Sequence, residues 1–285
     1  MRFTGNCPKE ADIDTSKLTG YDYRMFHNSP AWCLAQAVRD DDTATIKKII
    51  QSGKIPVDFQ IPEIGITLLL LAVRNQNYNS AMTLLELGAD PNHHDLGSGT
   101  SPMINSAGVD NQKGDGIKFL KLMLSYGGNP NDEEVGPRPK GNNLRNSPLL
   151  EACSYTLYNI SPLEKVKLLV EAGADINHKN EFETSTPLNL AVTMKHYDVV
   201  LYLLAKGAVY TNSTGEFNGR QFYITDDLRF GEFPLDSKKY QDKMKVVAFL
   251  KQKGMDYTKV PIPKIVIERA QRDYPNNWQE YLEKY

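Results

Sequence analysis

Residues 186–207 carry a pattern for two short helices followed by a glycine stop. Thr186-Pro187 is typical of a helix start, because a hydroxyl side chain caps a free backbone N–H and proline has no N–H to leave unpaired. Apolar residues then follow at helical spacing in two groups, Leu188, Leu190, Ala191 and Val192, and Val199, Val200, Leu203 and Leu204. Gly207 stands where the second helix needs a left-handed residue to end. The segment predicts two antiparallel helices joined by a tight turn.

This unit recurs along the chain. Gly88-Ala89-Asp90-Pro91-Asn92 and Gly173-Ala174-Asp175-Ile176-Asn177 match each other, and Gly127-Gly128-Asn129-Pro130-Asn131 is a looser copy. Upstream of these segments, the place of Thr186 is taken by Thr67, Ser101 and Ser147. A helix pair of this size cannot bury its own apolar face, so neighbouring copies must stack. The sequence therefore predicts a repeat protein.

The repeats resemble the ankyrin-repeat family, whose unit of about 33 residues is a β-turn plus two helices with a T-P-L-H-x-A signature. Thr186 to Ala191 is the nearest match, with Asn189 in the histidine position, while Leu68 and Met103 depart from the signature in other copies. The resemblance covers residues 29–257. It implies an all-α ankyrin solenoid of helix-turn-helix units with inter-repeat fingers, comprising about six repeats with degenerate ends.

The remaining segments are assigned around these repeats. Residues 1–28 form a lead and cap, and residues 258–285 form a C-terminal cap; a partner-binding arm is the alternative for the N-terminal segment. An insertion at 209–235 carries six aromatic residues, which either pack on the last repeat or contact a partner. The first helix of that last repeat is not apparent. Enlarged turns are expected at 108–116 and 155–161, and a long finger at 131–143.

Charge and hydropathy exclude several classes of function. Thirty-three basic and 35 acidic residues give a formal net charge of −2 without a basic block, which argues against a nucleic-acid partner. No stretch approaches the roughly 18 apolar residues of a membrane span. The chain as given is expected to be cytoplasmic; the alternative is a periplasmic or lipid-anchored protein from which a signal peptide was removed before Cys7. Three cysteines without a C-x-x-C pair favour reduced thiols.

The sequence offers little that resembles catalytic or metal chemistry. His93-His94-Asp95 is the one cluster of metal-ligand residue types, but His178 recurs at the repeat position of His93, which favours a fingertip. Phosphate-loop, nucleophile-elbow and zinc-protease motifs are absent. We therefore expect no cofactor, no metal and no enzymatic activity.

The resemblance also implies where a partner would bind, because fingers and first helices line the concave side of an ankyrin stack. Twelve candidate partner-binding residues follow from that placement: Arg74, Asn77, Tyr78, His93, His94, Arg138, Lys140, Tyr155, Tyr158, Phe182, Lys195 and Tyr197. Tyrosine and arginine are favoured as interface anchors because they bury a large area or form forked hydrogen bonds.

The predicted function is a protein-binding scaffold that is a monomer when free. A narrower hypothesis comes from resemblance to bacterial ankyrin proteins that act as immunity proteins against a secreted toxin, in some cases a phospholipase of a type VI secretion system. Two alternatives stay open. One is an adaptor or regulator of another protein, and the other is an enzyme or ligand receptor with its site in the 209–235 insertion.

Overall fold

The computed structural model describes residue 14 and residues 17–109, 116–136, 145–154, 161–179 and 186–285, apart from the side chain of Phe217. These residues form two compact units. The N-terminal unit contains the described residues up to Ala152 together with Leu168–Ala174, and the C-terminal unit contains Cys153, Ser154, Ser161–Lys167 and Asp175–Tyr285. The predicted all-α repeat fold is confirmed.

Paired helices form the repeats in the described part of the chain. They are α1 (Trp32–Arg39) with α2 (Thr43–Gln51), α3 (Leu68–Arg74) with α4 (Tyr78–Glu86), α5 (Pro102–Gly108) with α6 (Ile117–Ser125), α7 (Pro148–Cys153) with α8 (Leu163–Glu171), α9 (Pro187–Thr193) with α10 (Tyr197–Ala205), and α11 (Ile224–Leu228) with α12 (Lys238–Gln252). Three residues separate the two helices of the α3–α4 pair and of the α9–α10 pair. The separation is longer in the other two pairs: residues 109–116 lie between α5 and α6, and residues 154–162 lie between α7 and α8. These longer separations agree in length with the enlarged turns predicted at 108–116 and 155–161, of which residues 110–115 and 155–160 lie outside the described residues.

The predicted helix starts and stops are confirmed. The hydroxyl of Thr67 accepts a hydrogen bond from the Leu70 amide, and the hydroxyl of Thr186 accepts one from the Asn189 amide, as N-caps do. Gly207 has a φ of 92°, and the amide after it donates to the carbonyl of Leu203. This arrangement ends α10 because glycine adopts the left-handed conformation without strain.

Stacked helices build the core of the N-terminal unit. Helix α3 is apolar on every side, and its six residues from Leu68 to Val73 are all buried. It is covered by α4 from its own repeat and by α1 and α5 from the neighbouring repeats, while α2 packs against α4. A first helix enclosed in this way is stabilised mainly by burial against its neighbours.

The N-terminal segment caps the first repeat only in part. A 3-10 helix at Tyr23–Phe26 packs on α1. The Phe26 ring is fully buried and lies 6.3 Å from the Phe59 ring, measured between centroids. Tyr21, two residues before this helix, is instead exposed.

Three successive fingers in the N-terminal unit are joined by backbone hydrogen bonds. Each finger closes on itself, as the Asp95 amide does by donating to the carbonyl of Thr100. Neighbouring fingers are linked by the Leu96 amide, which donates to Ile64, and by the Val135 amide, which donates to Gly99. The fingers thus form a short ladder that fixes their spacing.

The C-terminal unit supplies the helix that the sequence did not reveal. Helix α11 lies inside the predicted insertion and packs on α9, while α12 packs on α10, so α11 and α12 form the last repeat. The true insertion is smaller than 209–235. It contains an antiparallel hairpin of β1 (Gly215–Phe217) and β2 (Arg220–Phe222), in which Gly215 pairs with Phe222.

Two further helices follow the last repeat. Helices α13 (Lys264–Asp273) and α14 (Trp278–Lys284) lie in the segment assigned as a C-terminal cap and pack on each other. Their core contains Val266, Ala270, Tyr281 and Tyr285. A second 3-10 helix at Tyr257–Lys259 contacts α12.

The cysteines differ from the expectation of reduced thiols. Cys33 on α1 is disulfide-bonded, with its partner outside the described residues, whereas Cys153 is a free thiol in the interior. Burial raises the pKa of the Cys153 thiol to about 12, so it stays protonated at neutral pH.

No helix in the described part of the chain is long and apolar enough to cross a membrane.

Candidate functional site

A concavity of the N-terminal unit lies between the fingers and the first helices. We call it the finger groove; its volume is about 530 Å³. Its apolar lining comprises Tyr21, Met25, Ile64, Ile66 and Ile104, and its charged lining comprises Arg74, Asp95, Glu134 and Glu151. A mixed lining of this kind suits a polypeptide segment, because apolar groups supply area and polar groups supply direction.

A buried ion pair forms the floor of the finger groove. Nη2 of Arg74 lies 3.1 Å from Oδ2 of Asp95, and the two side chains are 11% and 3% exposed. The Asp95 carboxylate also accepts hydrogen bonds from the amides of Ser98 and Gly99 and from the hydroxyl of Ser98. Nε of Arg74 donates to Oδ1 of Asn105 on α5. Both members of the pair make further hydrogen bonds, as a buried pair requires, and the pair ties α3 to a finger and to α5.

Two exposed apolar side chains stand on neighbouring fingers, each next in sequence to a residue that lines the groove. Leu96 is 61% exposed and follows Asp95 directly, and Val135 is 46% exposed and follows Glu134. The ladder bonds described above hold both of their backbones in place, so the two side chains belong to an ordered surface. Exposed apolar groups on ordered elements can contribute to an interaction surface.

A second groove of about 510 Å³ lies on the other side of Tyr21. We call it the end groove; it is lined by Thr19, Tyr21, Asp22, Tyr23, Arg24, Arg39, Asn75 and Asn77. The Arg24 guanidinium donates to Asp22 and lowers the pKa of that carboxyl below its usual value. Tyr21 is common to both grooves and is 58% exposed.

The structure places Arg74 and Asn77, both predicted as partner contacts, in intramolecular networks around these grooves. Asn77 accepts a hydrogen bond from the Tyr23 hydroxyl at 2.8 Å and donates to the carbonyl of Arg39. Burial raises the pKa of Tyr23, so its hydroxyl remains a donor. Tyr78 lies elsewhere, edge-on to Phe119 with 5.3 Å between ring centroids.

The side chains of His93, His94 and Asp95 each bind a different partner. His93 contacts Gln60, His94 contacts the Gly99 carbonyl and Asp132, and Asp95 binds Arg74. Among the described residues, no three histidine, cysteine or carboxylate side chains are grouped as a metal site would require. The repeat position of His93 predicted that it lies in a finger, and the structure places it there.

Asp132 stands between an imidazole and a hydroxyl. One carboxylate oxygen lies 3.0 Å from Nε2 of His94, and the other accepts a very short hydrogen bond from the hydroxyl of Ser101. In a nucleophilic triad the imidazole stands next to the hydroxyl and takes its proton. Here the carboxylate occupies that place, and the Ser101 hydroxyl also caps α5 by accepting from the Ile104 amide. The three groups therefore join two fingers to a helix start.

Two predicted contacts fall in the C-terminal unit, and one of them is corrected. Tyr197 was expected to be exposed, yet it is 2% exposed because its ring packs edge-on against Phe233. Lys195 is half-buried, with its ammonium 5.6 Å from the centroid of the Phe233 ring. Burial lowers its pKa. The remaining candidates, Arg138, Lys140, Tyr155, Tyr158 and Phe182, lie outside the described residues.

Sequence reasoning did not single out Leu96, Val135 or Tyr21 as surface contacts. Leu96 is an isolated apolar residue in a polar finger, and this isolation was the available signal. Tyr21 was grouped with the buried Tyr23 and Phe26 as part of a cap. Its exposure follows from the path of the chain across α3, which no local pattern encodes.

Comparison with known families agrees with this geometry. Residues 109–214 match a family described as ankyrin repeats in three copies, and residues 64–96 match a further ankyrin repeat. The chain is an ankyrin-repeat protein. Ankyrin repeats generally serve as scaffolds that bind other proteins, through the extended surface that stacked repeats provide.

Individual relatives extend the similarity over more of the chain. A B-cell lymphoma 3 protein homolog of mouse is 30% identical over 188 residues, which cover 66% of this chain and 35% of that protein. The ankyrin repeat protein FPV232 of fowlpox virus is 30% identical over 197 residues, covering 56% and 36%. The chain thus spans about a third of the length of these relatives.

A solved structure shows the same fold. The crystal structure of EF0377, an ankyrin repeat protein, is similar to this chain with a TM-score of 0.53 and 26% identity. The similarity covers 76% of this chain and 96% of EF0377.

Proposed function

We propose that this ankyrin-repeat protein is a non-catalytic scaffold that binds another protein along the finger groove. The observation that carries the proposal is the pair of exposed apolar side chains, Leu96 and Val135, which follow the groove-lining residues Asp95 and Glu134 on neighbouring fingers. A single exposed apolar residue is ordinary, but two on neighbouring, ordered fingers favour a surface that a partner covers.

The polar groups around the groove favour binding over catalysis. The polar atoms of the Arg74–Asp95 pair form hydrogen bonds that hold α3, α5 and a finger together. The His94–Asp132–Ser101 set likewise holds a finger and caps a helix. Neither arrangement presents a nucleophile beside a base, which is the geometry that acyl transfer requires.

The proposal is tested by locating and then perturbing the contact surface. A photo-crosslinking residue in place of Leu96 should capture the partner in cells of the source organism, and the same residue at exposed Lys121 on α6 should not. With the purified partner, calorimetry should show that Leu96→Ser and Val135→Ser each raise Kd about tenfold or more. Lys121→Glu, on the far helix of the third repeat, should leave Kd unchanged. The opposite ranking would remove the finger groove from consideration.

The immunity-protein hypothesis is a narrower form of the same proposal. It names a secreted antibacterial toxin as the partner, and it rests on resemblance alone. Its direct test is the open reading frame beside the gene. A toxin or lipase encoded there, inhibited by this protein in a growth assay, would support it; a neighbouring gene set with neither would leave an adaptor or regulator as the function.

The alternative, an enzyme or receptor site in residues 209–235, was suggested by six aromatic residues. Two of them pack on the repeats, Tyr210 against Phe249 and Phe233 against Tyr197, whereas Phe230 is exposed. Helix α11 belongs to the repeat stack of its unit. These contacts favour the scaffold.

A further inference from the structure

Residues 17–22, which we call the strap, cross the end of α3 and are held there by two side chains. Nη1 of Arg74 donates to the carbonyl oxygen of Gly20 at 2.9 Å, and Nδ2 of Asn75 donates to the carbonyl oxygen of Tyr21, also at 2.9 Å. The Arg74 guanidinium carbon lies 5.8 Å from the centroid of the Tyr21 ring. Two consecutive carbonyls and one aromatic ring are thus recognised by adjacent residues at the end of a first helix.

The strap separates the finger groove from the end groove. Tyr21 lines both grooves, and Arg74 lies on one side of it while Asn75 lies on the other. Both grooves belong to the N-terminal unit. Without the strap, they would form one continuous channel past Arg74 and Asn75.

The strap is weakly attached compared with the chain that follows it. Lys17, Thr19 and Tyr21 are exposed, and none of the six strap residues is buried. Tyr23 and Phe26, by contrast, are buried against the first repeat. Two hydrogen bonds of about 0.5 to 1.5 kcal/mol each and one ring contact hold residues 17–21 to α3, whereas Asp22 caps the 3-10 helix; residues 17–21 can therefore leave α3 while Asp22 and the 3-10 helix stay in place.

We infer that the surface under the strap is a docking site for an extended segment of a partner protein, and that the strap occupies it in the free protein. The segment would present consecutive backbone carbonyls to Arg74 and Asn75 and an aromatic side chain beside Arg74, as Gly20 and Tyr21 do. Its flanks would extend into both grooves. This inference rests on the proposed function and adds the conformation and the central residue of the ligand.

The strap's advantage over a partner is entropic rather than chemical. A tethered segment competes at an effective concentration of about millimolar. A partner segment that copies the strap alone would therefore bind weakly, and one that also fills the two grooves would bind tightly. Loosening the strap should raise affinity for any such segment.

Gly20→Val loosens the strap without altering the residues that hold it. A Cβ at Gly20 would lie 3.1 Å from Nη1 of Arg74, and the two further methyl groups of valine would crowd a guanidinium already fixed by Asp95. Shifted side-chain NMR signals of Arg74 and Asn75, which donate to the carbonyls of Gly20 and Tyr21, would verify that the strap has moved. Unchanged exchange in α3 to α6 would verify that the unit stays folded.

The probe is the synthetic peptide acetyl-Leu-Thr-Gly-Tyr-Asp-amide, which copies residues 18–22. Titrated into the full chain and followed by NMR, it should bind Gly20→Val at least about fivefold more tightly than the parent, and shift the side-chain signals of Arg74 and Asn75. A scrambled peptide should bind neither protein. Equal binding to parent and variant, or equal binding of the scrambled peptide, would overturn the inference.

Variants of Asn75, which donates to a strap carbonyl, and of a control residue complete the test. In the Gly20→Val protein, Asn75→Ala should weaken peptide binding about fivefold or more, because one carbonyl loses its donor. Asn79→Ala, whose side chain contacts Asp41 away from the strap, should not. No effect of Asn75→Ala would count against carbonyl recognition.

The purified partner separates this inference from the proposed function. Tyr21→Ala should tighten the complex if the strap competes with the partner, and weaken it if Tyr21 is itself a contact, which would overturn the inference. Loss of binding in Leu96→Ser with no response to strap variants would leave the function standing alone. If the peptide binds under the strap but Leu96→Ser and Val135→Ser do not change the affinity for the partner, the docking site would stand and the proposed finger contact would not.

Discussion

The backbone N–H of Val135 donates to the carbonyl oxygen of Gly99 over 2.9 Å, which joins two fingers where they pass closest. Gly99 has a φ of 69°, and a Cβ placed on it would lie 1.7 Å from the carbonyl oxygen of Val135. Only glycine permits this approach, because both the conformation and the space exclude a side chain.

We predict that Gly99→Ala lowers the free energy of unfolding by about 2 kcal/mol or more, since the left-handed conformation and the backbone clash both penalise alanine. Urea denaturation would measure the change. Gly97→Ala is the matched control, because the nearest atom to a Cβ there is a carboxylate oxygen 3.7 Å away and its φ is not in the left-handed region. Similar losses in both variants would show that the finger tolerates no side chain anywhere, and the argument from Val135 would fail.

Local sequence signals predicted the helix pairs because the signals and the structures they specify lie within a few residues. A hydroxyl at Thr67 or Thr186 binds an amide three residues later, and a glycine ends each second helix whatever the rest of the chain does. Helix α11 escaped prediction because it has only five residues and starts at Tyr223, which has no hydroxyl or carboxylate of the usual N-cap type. The side chain of Asp226, inside the helix, instead accepts from the Tyr223 amide.

The candidate site was predictable only in its general position. The resemblance to ankyrin repeats pointed to first helices and fingers, and Arg74 and Asn77 do lie at the two grooves. The strap could not be foreseen, because its bonds join residues 54 positions apart in the chain. The burial of Tyr197 was missed for a related reason: its cover, Phe233, comes from a segment that the sequence showed only as an insertion.

The side chain of Asp132 should contribute more to the free energy of unfolding than that of its neighbour Glu133. Asp132→Ala would leave the buried Ser101 hydroxyl without its acceptor and would remove the contact to the His94 imidazole, and should cost about 1 to 3 kcal/mol in the free energy of unfolding. Glu133→Ala is the control, since that side chain is only half-buried. Asp132→Asn keeps an acceptor oxygen and should lie between the two. If all three variants melted alike, the bridging role assigned to Asp132 would be wrong.

Leu204 should be a core position of the C-terminal unit. Its side chain is 5% exposed on α10, which packs on α9 and α12, so Leu204→Ala should cost about 2 to 5 kcal/mol. Leu201→Ala on the same helix should cost less, because Leu201 is half-buried. Hydrogen exchange of the α10 amides would report both changes. A larger loss at Leu201 would mean that the buried face of α10 is misassigned.

Lys243 presents an unusual buried charge in the same unit. Its ammonium is fully buried, lies 3.6 Å from the centroid of the Tyr285 ring, and donates to the carbonyl of Gly231. Burial is the main cause that lowers its pKa, the charges of Arg229 and Lys195 also lower it, and Glu232 opposes them; the resulting pKa is about 6. Tyr257, whose ring lies 5.2 Å away, has a pKa raised by burial and faces Lys243 as a neutral phenol.

This lowered pKa makes the stability of α12 depend on pH in a defined direction. Between about pH 6 and 10 the unfolded chain binds a proton at Lys243 that the folded chain does not, so stability rises with pH by up to about 1.4 kcal/mol per unit. Lys243→Met removes this term while keeping a side chain of similar length. The variant should therefore be more stable than the parent near pH 6, and its advantage should shrink as the pH approaches 10. Hydrogen exchange of the α12 amides at pH 6, 7.5 and 9, corrected for intrinsic rates, would measure the difference. Lys251→Met, at an exposed position of the same helix, should differ from the parent by a constant amount. A pH-independent advantage for Lys243→Met would show that Lys243 keeps its proton in the folded protein.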